Sequence, residues 1–224
     1  MKPDLVLGID EAGRGPGIGP MVLAGVAIDE DTASLLDQAG VKDSKAFGSN
    51  ASARRVRGQI ALLVYRHAAW VATEICEVAE IDEYVARGAL NHLERERARQ
   101  LMTKAPSCTR IVADGRALFS PLAGEFPHLE AHDRAESVHL AVAAASVVAK
   151  ARRDDLFAAI AARYRSEFGA LRGGGYVNPA TCAFVAEYVK RHGRLPPEAR
   201  TSWPWRGIVR PSASDLALPS PQVR

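Results

Sequence analysis

Apolar and polar positions along the chain mark out its elements before any motif is considered. Leu5–Asp10 is a short apolar run that reads as a buried strand. Met21–Ile28 is a second, with Gly17, Gly19 and Pro20 turning between them. A hairpin is the simplest pairing of the two. Ala51–His67 has helical spacing, and Ala68–Cys76 alternates loosely, as a third strand would. Ile81–Lys104 reads as a long polar helix interrupted at Gly88. Arg110–Ala113 runs into Asp114-Gly115, a strand followed by a turn, and His128–Ala131 suits another short strand. Ser137–Arg165 is strongly helical, and its alanine-rich first half must pack closely against something. Pro179–His192 is a further amphipathic helix. From Pro211 onward Pro and Ser are frequent, and a disordered tail is expected. Strands early, with helices interleaved and then trailing, predict an α/β fold, a mixed sheet covered by helices.

Composition narrows the class. The 224 residues, 47% of them hydrophobic, suit one domain with ample core. The net charge of +3 says little, but Lys150–Arg210 holds 12 Lys/Arg against 5 Asp/Glu. A basic C-terminal third suggests a polyanionic partner; solvated helix faces are the plainer explanation. Three widely spaced cysteines give neither a zinc cluster nor a disulfide framework, which fits a reducing compartment. The opening Met-Lys-Pro-Asp with its short apolar run is not a signal peptide, and Leu140–Ala149 is too short to cross a bilayer. The expectation is a cytoplasmic protein with no membrane partner.

The candidate chemistry sits at strand ends. Asp10-Glu11 closes the first strand and Asp114 the later one, with Gly13-Arg14-Gly15 following the first at once. Carboxylates converging there would gather hard divalent cations, and arginine with free amides would gather phosphate. Each piece alone has an ordinary reading: an acidic pair is usually solvated surface, and Asp-Gly is usually a turn. The apolar strands raise the stakes, because a charge placed directly after buried residues needs a partner or a metal. One difficulty stands out. Neighbouring strand residues point to opposite faces. Asp10 and Glu11 can share a metal only if the strand bends there, as Gly13 and Gly15 could allow, or if Glu11 uses its carbonyl.

In order along residues 5–206 stand Leu7-Gly8-Ile9-Asp10-Glu11-Ala12-Gly13-Arg14-Gly15-Pro16, Val41-Lys42-Asp43-Ser44-Lys45, Leu90-Asn91-His92-Leu93-Glu94, Ile111-Val112-Ala113-Asp114-Gly115, Ala143–Lys150 with Arg153-Asp154, and Gly175-Tyr176 through Arg200 and Ser202-Trp203. Together these motifs resemble ribonuclease HII, the type 2 ribonuclease H family. The resemblance implies a ribonuclease H-like fold: a mixed β-sheet flanked by helices, with a small helical C-terminal region. It implies a catalytic domain over residues 1–210, of which about 167–210 form that substrate-binding region, and the tail 211–224. The implied activity is endonucleolytic cleavage of the RNA strand of RNA–DNA hybrids, and incision 5′ to ribonucleotides embedded in duplex DNA. It would use two Mg²⁺ or Mn²⁺ ions with substrate bound, leave 3′-hydroxyl and 5′-phosphate ends, and act as a monomer.

Residue by residue, Asp10, Glu11 and Asp114 match three of the family's four metal-site acids. The fourth departs: where the family has aspartate, about ten residues before Ser146, this chain has Glu136, with Asp133 as the alternative. The stretch Ala135–Val142 is more similar to the sister enzyme, ribonuclease HIII, which uses glutamate there. The sister lacks Gly13-Arg14-Gly15, which in ribonuclease HII grips the backbone around the 2′-hydroxyl of the cleaved nucleotide. Tyr176 matches the tyrosine that packs on the next, deoxy, sugar; Lys45 and Arg14 would hold phosphates beside the scissile bond. His132 and His139 flank Glu136 and are expected to be structural, and Asp154 is expected to anchor a helix by an ion pair. Two other readings remain open: a ribonuclease HIII-like preference for long hybrids, and a non-catalytic hybrid-binding protein.

Overall fold

Residues 4–41 and 51–205 are described by the computed structural model. The expected phosphate-holding Lys45 and the tail from Pro211 lie outside them. The two early strands form as expected: β1 (Val6–Ala12) and β2 (Met21–Ile28) pair antiparallel, with Val6 opposite Ile28 and Ala12 opposite Val22. β3 (Trp70–Cys76) pairs antiparallel with β2, while β4 (Arg110–Asp114) and β5 (Leu129–His132) add parallel on the far side of β1. The sheet order is β3-β2-β1-β4-β5, which puts β1 at the centre.

All eight residues of β2 are buried, the signature of a strand covered on both faces. One face takes Val22, Ala24, Val26 and Ile28. They pack under α1 (Glu30–Gln38), α2 (Ala51–His67) and the first half of α6 (Leu140–Phe168). Met21, Leu23 and Ala27 on the other face meet α3 (Val78–Ala86) and α4 (Leu90–Lys104). Helices α3 and α4 are the polar stretch read as one interrupted helix; Gly88, at φ +66°, takes the left-handed turn between them. A short helix, α5 (Arg116–Phe119), follows β4.

The alanine-rich start of α6 packs on β1 itself. A Cβ added at Gly8 would stand 2.1 Å from the Ala141 carbonyl carbon and 2.4 Å from the Val142 nitrogen. Helix backbone therefore lies directly on strand backbone, which only glycine opposite small residues permits. Gly8→Ala is expected to lower stability by about 3 kcal/mol, the top of the usual overpacking range. At this chain length that is a fall in melting temperature of about 6–12 °C. An unchanged melting temperature would contradict this contact.

The second half of α6 runs on to α7 (Pro179–His192), capped by Asn178, whose side chain accepts from the Thr181 amide at 3.0 Å. Phe157, Ile160, Phe184, Val185 and Tyr188 form a third cluster between these helices, and Ile18, Ala199 and Trp205 join it. Ile18 belongs to the loop after β1, so this helical region is fastened to the end of the central strand. Among the described residues no helix is long and apolar enough to cross a membrane, and Cys76, Cys108 and Cys182 are all free thiols.

Candidate active site

Strand alternation decides where the acids point. Gly8, Asp10 and Ala12 face α6, whereas Leu7, Ile9 and Glu11 face the α4 side. The strand does not break at Asp10-Glu11, yet the two carboxyl groups meet: after burial and the charge of Glu94, a side-chain hydrogen bond with Asp10 is the next influence on the Glu11 carboxyl. Pairing with β2 continues through Glu11 and Ala12, and the chain turns only at Gly13, φ +95°. Both routes by which Glu11 could share a metal with Asp10 therefore stand, through its carboxylate and through its main-chain carbonyl.

Asp10 is 5% exposed. Its Oδ1 accepts from the Glu11 amide at 2.8 Å. Burial, then the charge of Glu11, push its carboxyl up to about 8; the Ser146 hydroxyl and Lys150 pull the other way. Lys150 Nζ in turn donates to Ser146 Oγ at 2.7 Å. Asp114 lies one position beyond the last β1–β4 register pair, Ile9 with Ala113, at the carboxyl ends of two parallel strands. Its charge also raises the carboxyl of Asp10. The Ala135 amide donates to Asp114 Oδ1 at 2.8 Å, which ties the turn Ala135–Ser137 to the site. Glu136 sits in that turn, 5% exposed, both carboxylate oxygens shielded from solvent. Asp133 makes a local bond instead, its Oδ1 accepting from the Arg116 amide at 2.8 Å at the start of α5. His132 contacts Glu130 at 3.3 Å and its ring stacks on His139 at 5.8 Å, a packing arrangement.

Glu11 opens onto a cleft of about 380 Å³ with Arg14, Asn91, Asp114 and Asp133. Burial, then the charge of Glu94, raise its carboxyl. Glu94 is the acid that motif reading passed over as helix. It is fully buried on α4, and one of its oxygens takes the Arg14 guanidinium, whose Nη2 also donates to Asn91 Oδ1 at 2.7 Å. The signal was present, since a glutamate at a position of apolar helix spacing asks for a cationic partner.

Gly13-Arg14-Gly15 borders a larger cleft of about 800 Å³, lined also by Arg54, Lys150, Arg172 and Tyr176. Two loops are laced together there. The amides of Gly17 and Ile18 donate to the Gly175 carbonyl at 2.9 and 3.0 Å, and Arg153 Nη2 donates to the Gly174 carbonyl at 2.8 Å. Tyr176 thereby stands against the glycine loop: a Cβ on Gly15 would be 3.4 Å from its ring. The residue stays 54% exposed, so it is no buried loop aromatic. Arg57 is buried and paired with Asp154 at 2.7 Å, the anchoring bond expected of Asp154.

The donors suit a hard divalent cation, since they are carboxylate oxygens. Among the described residues no three His, Cys, Asp or Glu side chains stand ready-made around one point. The electrostatics nevertheless favour added positive charge: Asp10 is buried and Glu11 half-buried beside further acids, and their carboxyls are raised by desolvation and by those neighbours.

Comparisons with known proteins identify the family. The family model for ribonuclease HII matches residues 7–205. The ribonuclease HII of Thermofilum pendens is 37% identical over 218 residues, covering 88% of this chain and 95% of its own. That of Caldivirga maquilingensis is 36% identical, covering 95% and 97%. Among solved structures, ribonuclease H2 from Pyrococcus horikoshii OT3 superposes with a TM-score of 0.77 at 28% identity, over 90% of this chain and 94% of that one. The ribonuclease H-like fold has its explanation here: the chain belongs to the ribonuclease HII family, metal-dependent endoribonucleases of the ribonuclease H class.

Proposed function

We propose that this ribonuclease H incises 5′ to ribonucleotides embedded in duplex DNA, besides cutting the RNA strand of longer hybrids, and leaves 3′-hydroxyl and 5′-phosphate ends. The observation that carries the reading is the placement of Tyr176 against Gly13-Arg14-Gly15, beside the acidic strand ends. The 2′-hydroxyl is what separates RNA from DNA at a given nucleotide. A glycine loop offers amides to that hydroxyl at close range, and an exposed aromatic ring beside it offers a flat face to the neighbouring deoxyribose. Arg14 would hold a phosphate of the cleaved strand; Lys45 is proposed to hold another.

Asp10, Glu11, Asp114 and Glu136 are proposed as the acids that hold two Mg²⁺ or Mn²⁺ ions when substrate is bound. Ions held there would activate water for in-line attack and stabilise the leaving 3′-oxygen. The residues of the chain do the positioning. Asp10 is oriented by the Glu11 amide and Asp114 by the Ala135 amide, so both carboxylates have fixed directions before substrate arrives. Residues 1–210 would form the catalytic domain, with about 167–210 as its substrate-binding region, working as a monomer in the cytoplasm.

The test is cleavage of two labelled duplexes with Mg²⁺ or Mn²⁺, one carrying a single ribonucleotide and one a full RNA–DNA hybrid. Incision of both supports the proposal. A single-ribonucleotide duplex left intact while the hybrid is cut would favour the ribonuclease HIII-like reading, and binding of both without cutting a non-catalytic one. Tyr176→Ala is expected to slow single-ribonucleotide incision about tenfold, in keeping with the 1–3 kcal/mol typical of aromatic contacts to nucleic acid. The long hybrid, which presents no deoxyribose at that position, should slow no more than about threefold on the same basis. Equal losses on both would deny Tyr176 a part in junction selection.

A further inference from the structure

Arg200 is the largest fully buried side chain, with no exposed surface, and it belongs to neither a helix nor a strand. A buried guanidinium requires acceptors for its N–H groups. Here backbone carbonyls supply them. Nε donates to the Gly19 carbonyl at 3.0 Å, Nη1 to that of Arg14 at 3.0 Å, and Nη2 to those of Gly13 and Gly19 at 2.6 and 2.8 Å. The Arg200 amide donates to the Gly17 carbonyl at 2.7 Å. Its guanidinium carbon lies 4.7 Å from the ring centre of Trp203, whose Nε1 donates to the Gly15 carbonyl at 2.9 Å. Asp82 on α3 holds the next two residues, accepting from the amides and hydroxyls of Thr201 and Ser202. Burial, then the charge of Arg153, lower the guanidinium to about 10, so it stays charged at neutral pH.

A trans peptide sends its carbonyl and its N–H in opposite directions. With the Gly13 and Arg14 carbonyls turned onto Arg200, the N–H groups of Arg14 and Gly15 turn away from it, in a loop that lines the cleft with Tyr176. Neither amide donates to a protein acceptor among the described residues. We propose that Arg200, seconded by Trp203, is a positioning residue for sugar selection: it fixes two peptide planes so that adjacent amides face the 2′-hydroxyl of the bound ribonucleotide. The inference rests on the reading of Gly13-Arg14-Gly15 as the 2′-hydroxyl sensor. Arginine suits this role because its planar fork spans three carbonyls at once, which a lysine ammonium cannot do in one plane.

The experiment measures binding in EDTA, where cleavage is stopped, to a duplex with one ribonucleotide and to the matching all-DNA duplex. The wild type is expected to prefer the ribonucleotide duplex by about tenfold, the worth of one or two hydrogen bonds. Arg200→Lys should bring that ratio close to one while affinity for all-DNA duplex stays within about twofold. Guanidinium ion added at millimolar concentration should restore the ratio in Arg200→Ala. Trp203→Phe keeps a ring under Arg200 but removes the donor to Gly15, and should reduce the ratio about threefold. That variant carries the test if the Arg200 variants fail to fold. A ratio unchanged in the folded Arg200 variants, or in Trp203→Phe when those do not fold, would show a purely structural residue and overturn the proposal. A wild type with no preference would instead sink the sensor reading itself, and the role of Arg200 with it.

Discussion

Asp10→Asn is expected to lower strand cleavage at least about 10³-fold, or about 4 kcal/mol of transition-state stabilisation, while raising the melting temperature of the metal-free protein. The two effects share one cause. Asp10 is buried at the carboxyl end of the central strand, under α6 and beside Glu11 and Asp114. That burial raises its carboxyl from 3.8 to about 8. An acid raised on folding weakens stability over the interval in which the unfolded chain has lost the proton and the folded one keeps it. The loss therefore grows as pH climbs from 3.8 to about 8. Asparagine removes the charge, keeps an oxygen for the Glu11 amide, and should gain about 2–4 °C for each kcal/mol relieved at this chain length. Thermal melts with and without Mg²⁺ at pH 8 check the stability half, and cleavage of the hybrid duplex checks the other. Mg²⁺ should raise the melting temperature of the wild type and leave that of Asp10→Asn unmoved. Wild-type cleavage by Asp10→Asn would remove Asp10 from the proposed acids.

The elements with the clearest periodicity were legible because they are buried on a regular pattern. Met21–Ile28 and Pro179–His192 fall where the apolar runs, the Asn178 cap and Gly193 place them. Helix α1 escaped because only Leu36 in it is buried and its polar remainder reads as loop; the Asp29 cap on Thr32 was its one local signal. Sheet order was less accessible still. Nothing local to Arg110–Asp114 says that it will lie parallel beside β1, since that pairing depends on helices crossing between distant strands.

Motif resemblance pointed to the acids, yet their directions came from packing. The alternation of β1 starts Asp10 toward α6 and Glu11 toward α4, yet the two side chains meet at the strand end beside Asp114. Gly8, hidden inside an apolar run, lets α6 approach until its backbone lies on the strand, which closes the site over Asp10. Glu94 and Arg200 stand in the motifs, but what they hold was not legible, for a related reason. Each is a buried charge whose partner lies far away in sequence, 80 residues off for Glu94 with Arg14 and 187 for Arg200 with Gly13. No local pattern encodes such a bond. Both converge on Gly13-Arg14-Gly15, one holding its side chain and the other its carbonyls, so the loop that looks flexible from its glycines is held from two sides.

The fourth acid is the remaining choice, and one pair of variants decides it. Glu136→Gln is expected to lower kcat about 10²-fold or more, and Asp133→Asn less than about threefold. The asymmetry follows from where each carboxylate lies. Asp133 serves the start of α5 by accepting from the Arg116 amide, a bond that asparagine can also accept through its own side-chain oxygen. Glu136 stands in the turn that Ala135 fastens to Asp114, with its oxygens shielded from water. A carboxylate kept in such a place is retained against a desolvation penalty, and a shared cation would offset it. Glutamate is also one methylene longer than aspartate, which allows it to reach from a turn that precedes the helix instead of from the helix itself. The measurement is kcat and KM on the single-ribonucleotide duplex, with melting temperatures confirming that both variants fold. A loss in kcat at constant KM marks a group acting in the transition state. Full activity in Glu136→Gln with loss in Asp133→Asn would move the fourth position three residues upstream, to the acid that now caps α5.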